Sequence, residues 1–242
     1  MNNETKYLKY IIGFFLVLSI VAAYYIGFMS AKLGLNAPFI SGTGSVAKNP
    51  NQPEQPKLIE EVALYNLKGD EVFVGNKDAQ MVLVTFTDFQ CPFCAKFHPG
   101  LDALYKNNPG TKLVFKHFPL SFHQYAKEMA VMFECVAKNS SNENAVAFAD
   151  KLFAKNLELQ GQITNTDAFN IFKTYLSASQ LDSCKQDNAI SQKIIDSFND
   201  GANLGIQGTP ALYIMNTKTS KAVRINGALD QATLQAEFDK LK

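Results

Sequence analysis

Cys91-Pro92-Phe93-Cys94 lies between two runs of different character, and that placement constrains the fold more than any other feature of the chain. Before it, Met81–Phe86 (MVLVTF) is a short continuous apolar run, the pattern of a central strand buried on both faces. After it, Phe93, Phe97, Leu101 and Leu104 recur at helical spacing, so Pro92–Lys106 reads as a helix. Pro99 should kink that helix, because it has no N–H to donate. Lys112–Phe118 reads as the next strand. Strand, helix and strand in that order predict a parallel pair joined by a right-handed crossover.

Cysteines separated by a two-residue spacer at a helix start have both sulfurs within bonding reach. Unpaired N–H groups and the helix dipole there favour a thiolate on Cys91. Pro92 falls at the first helical position, where its missing N–H costs no hydrogen bond. Cys94 falls on the side of Phe97, Leu101 and Leu104. The pair is therefore expected to be asymmetric, with Cys91 an exposed attacker and Cys94 a shielded resolver. An inert bridge is the plainer alternative, although closing so short a loop constrains the unfolded chain little. A rival chemistry is a metal-binding chaperone, with Cys91, Cys94 and His98 as soft ligands on one helix. No fourth ligand is evident for it, and a merely packed His98 is the plainer reading.

Residues 122–204 change to helical periodicity throughout. Met129, Met132, Phe133 and Val136 set the pattern. Ala147, Phe148, Leu152 and Phe153 repeat it, followed by Phe169, Phe172 and Leu176, then Ile190, Ile194, Ile195 and Phe198. Gly205 and Gly208 end the series. Ala211–Met215 and Ala222–Ile225 are strands close enough to pair as a hairpin, and Pro210 stands at the entrance of the first. Asp230 is placed to cap a last helix with inner residues Leu234, Phe238 and Leu241. The order is strand, helix, strand, helical block, strand, strand, helix.

The N-terminal quarter differs. Tyr10–Ala31 carries no charge and is rich in Ile, Leu, Val and Phe. At about 1.5 Å per residue it is long enough to cross a hydrocarbon core of roughly 30 Å. Tyr7, Tyr10, Tyr24 and Tyr25 suit the interfaces, and Lys6 and Lys9 favour a cytoplasmic N-terminus. A cleaved signal peptide is the alternative, but its apolar region is usually about 7–15 residues. Residues 1–31 are thus expected to be a cytoplasmic N-terminus and a transmembrane helix in contact with lipid through residues 10–31. Residues 32–57, rich in Gly, Asn, Ser and Pro, read as a flexible linker, and residues 58–242 as the globular domain, on the extracytoplasmic side. A net charge of +1 with no basic block argues against a nucleic-acid partner, while 47% apolar residues allow a sizeable core.

Three blocks stand in order: TFTDFQCPFCAKFHP, FKHFPLSFHQYAKEMA and GIQGTPALYI. Together they resemble the successive signature blocks of DsbA-like proteins of the thioredoxin superfamily, with that family's helical insertion between the second and third. The resemblance spans roughly residues 70–242. It implies an α/β, thioredoxin-like core with an inserted helical block at about 122–204. It implies that Cys91 is the nucleophile, Cys94 the resolving thiol and Pro210 a cis proline, with Thr209 before it exposing backbone to a substrate. Pro92 and Phe93 become auxiliary residues of the spacer. The implied activity is formation or isomerisation of disulfides in exported proteins through a mixed disulfide, with no cofactor. The implied partners are exported protein thiols and disulfides and a membrane redox protein that resets the pair. A reductase of the same fold is the alternative direction.

The chain departs from the pattern in places. Thioredoxins proper carry a buried acid where Thr85 stands; Asp88 lies nearer the motif, either as a proton carrier for Cys94 or as a solvated loop residue. The best-known DsbA spacer holds a histidine that steadies the thiolate, and Phe93 replaces it. Cys135 and Cys184 fall in the helical block, where similar proteins often carry cysteines, and in an exported domain they are expected to form a structural disulfide. His117 reads as a core or strand-edge histidine, and His123 has no evident task.

Overall fold

The computed structural model describes residues 56–59 and 62–242. The expected anchor at Tyr10–Ala31 and nearly all of the 32–57 linker lie outside the described residues. Among the described residues no helix is long and apolar enough to cross a membrane.

The chain forms β1 (Lys57–Ile59), β2 (Val72–Gly75), β3 (Met81–Thr87), α1 (Pro92–Asn107) and β4 (Lys112–His117). The helical block follows as α2 (Ala126–Asn139), α3 (Asn142–Glu158), α4 (Asn165–Phe172), α5 (Ala178–Lys185) and α6 (Asn188–Asn203). Then come β5 (Ala211–Asn216), β6 (Lys221–Asn226) and α7 (Gln231–Leu241). One sheet has the order β1-β6-β5-β3-β4-β2. β3 and β4 pair in parallel, with Thr85 opposite Phe115, and β5 and β6 form the antiparallel hairpin. β5 also pairs antiparallel with β3, so both central strands are buried along their whole length.

Two edge strands differ from expectation. Lys57 heads β1 opposite Asn226 instead of ending the linker, and β2 pairs with β4. Three or four residues carry too little pattern to declare a strand; the free edges of β6 and β4 supply the register. α1 continues through Pro99 to Asn107.

Alternation along the strands feeds two apolar clusters. Leu83, Phe115, Leu212 and Ile214 point to the larger one, which takes in Leu101 and Leu104 of α1, Phe238 of α7, and Phe133, Phe148 and Phe153 of the block. Val82, Val84, Phe86 and Tyr213 point to the other side with Tyr65 and Phe118. Full burial of each such side chain is worth about 1.5–3 kcal/mol. α6 reaches the second face because residue 201 is glycine. A Cβ there would lie 2.7 Å from Phe118 Cδ2 and 3.1 Å from Phe86 Cδ1. His117 is buried, and its Nε2 lies 2.8 Å from Glu134 Oε1, while Lys193 Nζ lies 2.7 Å from Glu134 Oε2. Burial opposes charge on Glu134, yet His117 and Lys193 together hold its carboxyl below the ordinary range. The triad ties β4, α2 and α6, the core and the inserted block, at one point. Asp230 caps α7, its carboxylate accepting from Thr233 N at 3.0 Å.

Candidate active site

Parallel β3 and β4 end on the same edge of the sheet, so the loops leaving them meet there, where α/β sheets place their chemistry. Phe118 N donates to Thr87 O at 2.9 Å and locks the two exits together. The β3 loop, Asp88-Phe89-Gln90, leads directly into Cys91, which takes extended angles as the cap of α1. Cys91 N donates to Asp88 O, and Ala95 N donates to Cys91 O, each at 3.1 Å. Pro92 opens the helix without leaving an unpaired N–H.

In this dithiol state both cysteines are buried, Cys91 being 2% exposed and Cys94 1%. The expected exposed attacker is thus covered. The Thr209–Pro210 bond is cis, and its loop lies over the sulfur, with the Cys91 thiol donating to Thr209 O at 3.5 Å. Asymmetry between the thiols resides in proton affinity instead. A hydrogen bond from Cys94 pulls the Cys91 pKa from the usual 9.0 to about 6, against burial, helped by the Thr209 side chain and the backbone N–H groups of Cys94 and Phe93. Burial, together with the Cys91 thiolate, pushes Cys94 well above its usual value. Thr209 Oγ1 is itself buried without an aligned partner in the dithiol, a donor poised for a sulfur anion.

Asp88 is not a solvated loop residue. Its side chain is fully buried. Oδ1 accepts from Gln90 N, and Oδ2 accepts from Leu120 N and pairs with His123 Nδ1, each at 2.8 Å. The carboxylate therefore joins the β3 loop to the β4 loop. His123, which had no evident task, is drawn into the site, and its pKa is raised by the Asp88 hydrogen bond first, then by the charges of Asp88 and Cys91.

His98 does not stand free beside the cysteines. Its Nε2 lies 2.6 Å from Asp150 Oδ1, and its ring packs 4.6 Å from that of Phe153. Among the described residues no group of three or more His, Cys, Asp and Glu is arranged to hold a metal ion.

The helical block contributes two residues that sequence reasoning passed over. Asn156 of α3 is fully buried and donates from Nδ2 to Phe89 O at 3.2 Å, supporting the loop before Cys91. Gly161, at φ +90°, donates its N–H to Asn156 O at 2.8 Å and lies against Pro92; a Cβ would meet Pro92 Cβ at 2.9 Å. Neither has a local sequence signal, because each acts on a partner far along the chain. Phe93 and Phe122 remain exposed, at 44% and 77%. Away from the site, Cys135 of α2 and Cys184 of α5 are bridged, with Cα atoms 5.7 Å apart.

Known proteins share this fold. The P. aeruginosa DsbA2 crystal structure superposes with a TM-score of 0.61 at 25% identity, covering 74% of this chain and 97% of that one. The probable disulfide bond formation protein D of Bacillus anthracis is 24% identical over 161 residues, 61% of this chain and 74% of its own. The Na(+)/H(+) antiporter NhaA 3 of Salinispora tropica is 29% identical over 68 residues, so this chain spans 10% of the antiporter's length. The thioredoxin profile matches residues 67–235, and on that match the chain belongs to the thioredoxin family.

Proposed function

We propose that the protein is a thiol–disulfide oxidoreductase of DsbA type that forms or isomerises disulfides in exported proteins. One observation carries the reading: two thiols within bonding reach have opposite proton affinities at a helix N-terminus beneath a cis proline. As oxidase, a substrate thiolate attacks Cys91 Sγ of the Cys91–Cys94 bridge. The bridge breaks, a mixed disulfide forms, and Cys94 leaves as a thiolate and takes a proton. A second substrate thiolate then attacks the substrate sulfur of the mixed disulfide, and Cys91 leaves as a thiolate. Two electrons pass from substrate to the pair, and a membrane redox partner takes them away. Thr209 and Pro210 present backbone to the substrate, Pro92 and Phe93 shape the mouth of the site, and Asp88 holds the loop.

A thiolate with a pKa near 6 is the better leaving group and stabilises the reduced form, which favours net oxidation. The expected potential lies between about −180 and −120 mV, measured by equilibration with glutathione. A value near about −270 mV would instead mark a reductase. Thiolate absorbance against pH should show a midpoint near 6. The sign of the linked stability follows from a depressed pKa. The thiolate's contribution to the reduced fold is complete above the usual 9.0 and is lost as pH falls through about 6. Reduced protein should therefore gain stability over oxidised protein as pH rises from 6 toward 9, read by thermal unfolding of both forms. A gap that stays constant over that range contradicts the assignment.

The same reading places residues 1–31 as a cytoplasmic N-terminus and single-pass anchor, 32–57 as a tether, and the domain from residue 58 outside. An uncharged run flanked by Lys6 and Lys9 supports it. A reporter active only in oxidising compartments, fused after Lys242, should work; one active only in the cytoplasm should not. The reverse pattern removes both anchor orientation and export.

A further inference from the structure

Of the 23 lysines and arginines in the chain, Arg224 is the single arginine, and it holds the start of the loop that covers Cys91. That loop runs from Leu204, the C-cap of α6, to Pro210, just before β5. Arg224 lies on β6 opposite Tyr213. Its Nη1 donates to Leu204 O and, at 3.5 Å, to Tyr213 Oη. A permanently charged group suits this place, because a helix C-terminus carries partial negative charge. The far end of the loop is held from the same side. Gly227, directly after β6, donates its N–H to Pro210 O at 2.8 Å. It sits at φ +94°, and a Cβ there would lie 3.1 Å from Pro56 Cα. Between the two pins stands Thr209, whose carbonyl accepts from the Cys91 thiol at 3.5 Å. An unbroken series of contacts therefore joins β6 to the Cys91 sulfur through Gly227, Pro210 and Thr209.

We propose that Arg224 is a positioning residue for peptide substrates: by fixing Leu204 while Gly227 fixes Pro210, it keeps the Thr209 backbone set for pairing beside Cys91. The inference rests on the proposed exchange with protein thiols. A loop held at both ends needs little further ordering when a peptide lies along it. A loop held only at Pro210 must lose backbone freedom first, and that loss appears as weaker binding. Attack at the sulfur is a separate matter, because Cys91 is held by other groups. Cys91 N donates to Asp88 O, and Ala95 N donates to Cys91 O. Both bonds of Arg224 come from Nη1, while its Nε is buried without an aligned partner. A lysine ammonium can therefore stand in for the part of the guanidinium that works.

In full-length protein oxidising a peptide dithiol, Arg224→Met should raise KM about five- to thirtyfold, the cost of ordering one more backbone residue. It should leave kcat within about twofold. Mercaptoethanol, which has no peptide backbone, should reduce the oxidised variant at the wild-type rate. Arg224→Lys should recover most of the KM. A folded Arg224→Met protein with wild-type KM overturns the proposal. So does equal loss toward peptide and mercaptoethanol, or an Arg224→Lys protein no better than Arg224→Met, since either marks general destabilisation. Should Arg224→Met fail to fold, the wild-type chain still decides. Its single arginine gives one guanidinium to follow by NMR in arginine-labelled protein. Rotation of that guanidinium should be hindered, and free rotation overturns the proposal whatever the variants do. A wild-type chain that does not oxidise the peptide defeats the functional reading, and this inference with it; an active wild type with any overturning result above defeats the inference alone.

Discussion

Cys91→Ser removes exchange, lowering its rate on the order of 10³-fold or more, whereas Cys94→Ser halts exchange halfway. The difference follows from the proton affinities. Cys91 is the thiol that ionises near neutrality, with a pKa of about 6, so it alone supplies a standing nucleophile. Serine in its place offers a hydroxyl with no comparable acidity. Cys94 is held protonated by burial until the mixed disulfide has formed. With Cys94→Ser no Cys91–Cys94 bridge can form, but the Cys91 thiolate can still attack a substrate disulfide, the isomerase direction, and no neighbouring thiol then resolves the product. Mixed disulfides through Cys91 then accumulate, visible as higher-mass species on non-reducing gels and lost on reduction. Equal trapping by both variants, or trapping by Cys91→Ser instead, reverses the assigned roles.

Removing the Cys135–Cys184 bridge with a double alanine variant costs stability and leaves the chemistry in place. The bridge spans 49 residues of sequence, a closure worth roughly 4 kcal/mol in the chain-entropy model. For a domain of this size that corresponds to a fall in Tm of about 8–16 °C. Cys135 and Cys184 sit in α2 and α5, within the helical block, and not on β3, α1 or the loop between them that carries Cys91 and Cys94. The glutathione equilibrium of Cys91 and Cys94 should therefore be unchanged below the new Tm. An unaltered Tm, or free Cys135 and Cys184 thiols in exported protein, contradicts the structural role.

What was legible in the chain was what repeats locally or stands in a fixed local context. MVLVTF, the C-x-x-C opening α1, the helical block and the terminal hairpin all announce themselves through periodicity or turn chemistry. β1 and β2 do not, because three or four residues on a sheet edge borrow their register from a partner. The site shows the same division. Cys91 and Cys94 are conspicuous, but their depth beneath the Thr209 carbonyl is not. Asp88 looks like an ordinary loop acid until the β4 loop folds onto it, and Asn156 is an ordinary helix asparagine until its amide meets the Phe89 carbonyl. Such contacts join residues tens of positions apart and leave no mark on the pattern of either segment.

The cover over Cys91 bears on how the protein survives its own surroundings. A sulfur with a pKa near 6 is a thiolate at neutral pH, and thiolates are what peroxides attack. Oxidation past sulfenic acid to the sulfinic form would end its working life. Cys91 is nevertheless 2% exposed, with the Thr209 carbonyl against it and Cys94 within hydrogen-bonding reach. A small oxidant arriving from solvent finds carbon and backbone first, and any sulfenic acid it manages to form has Cys94 beside it to condense into a bridge. Under the proposed function, an extended peptide substrate would displace the cover by taking over its backbone contacts; a peroxide has no such lever. On that reading the fold would separate sensitivity to proteins from sensitivity to small oxidants, although both depend on the same anion.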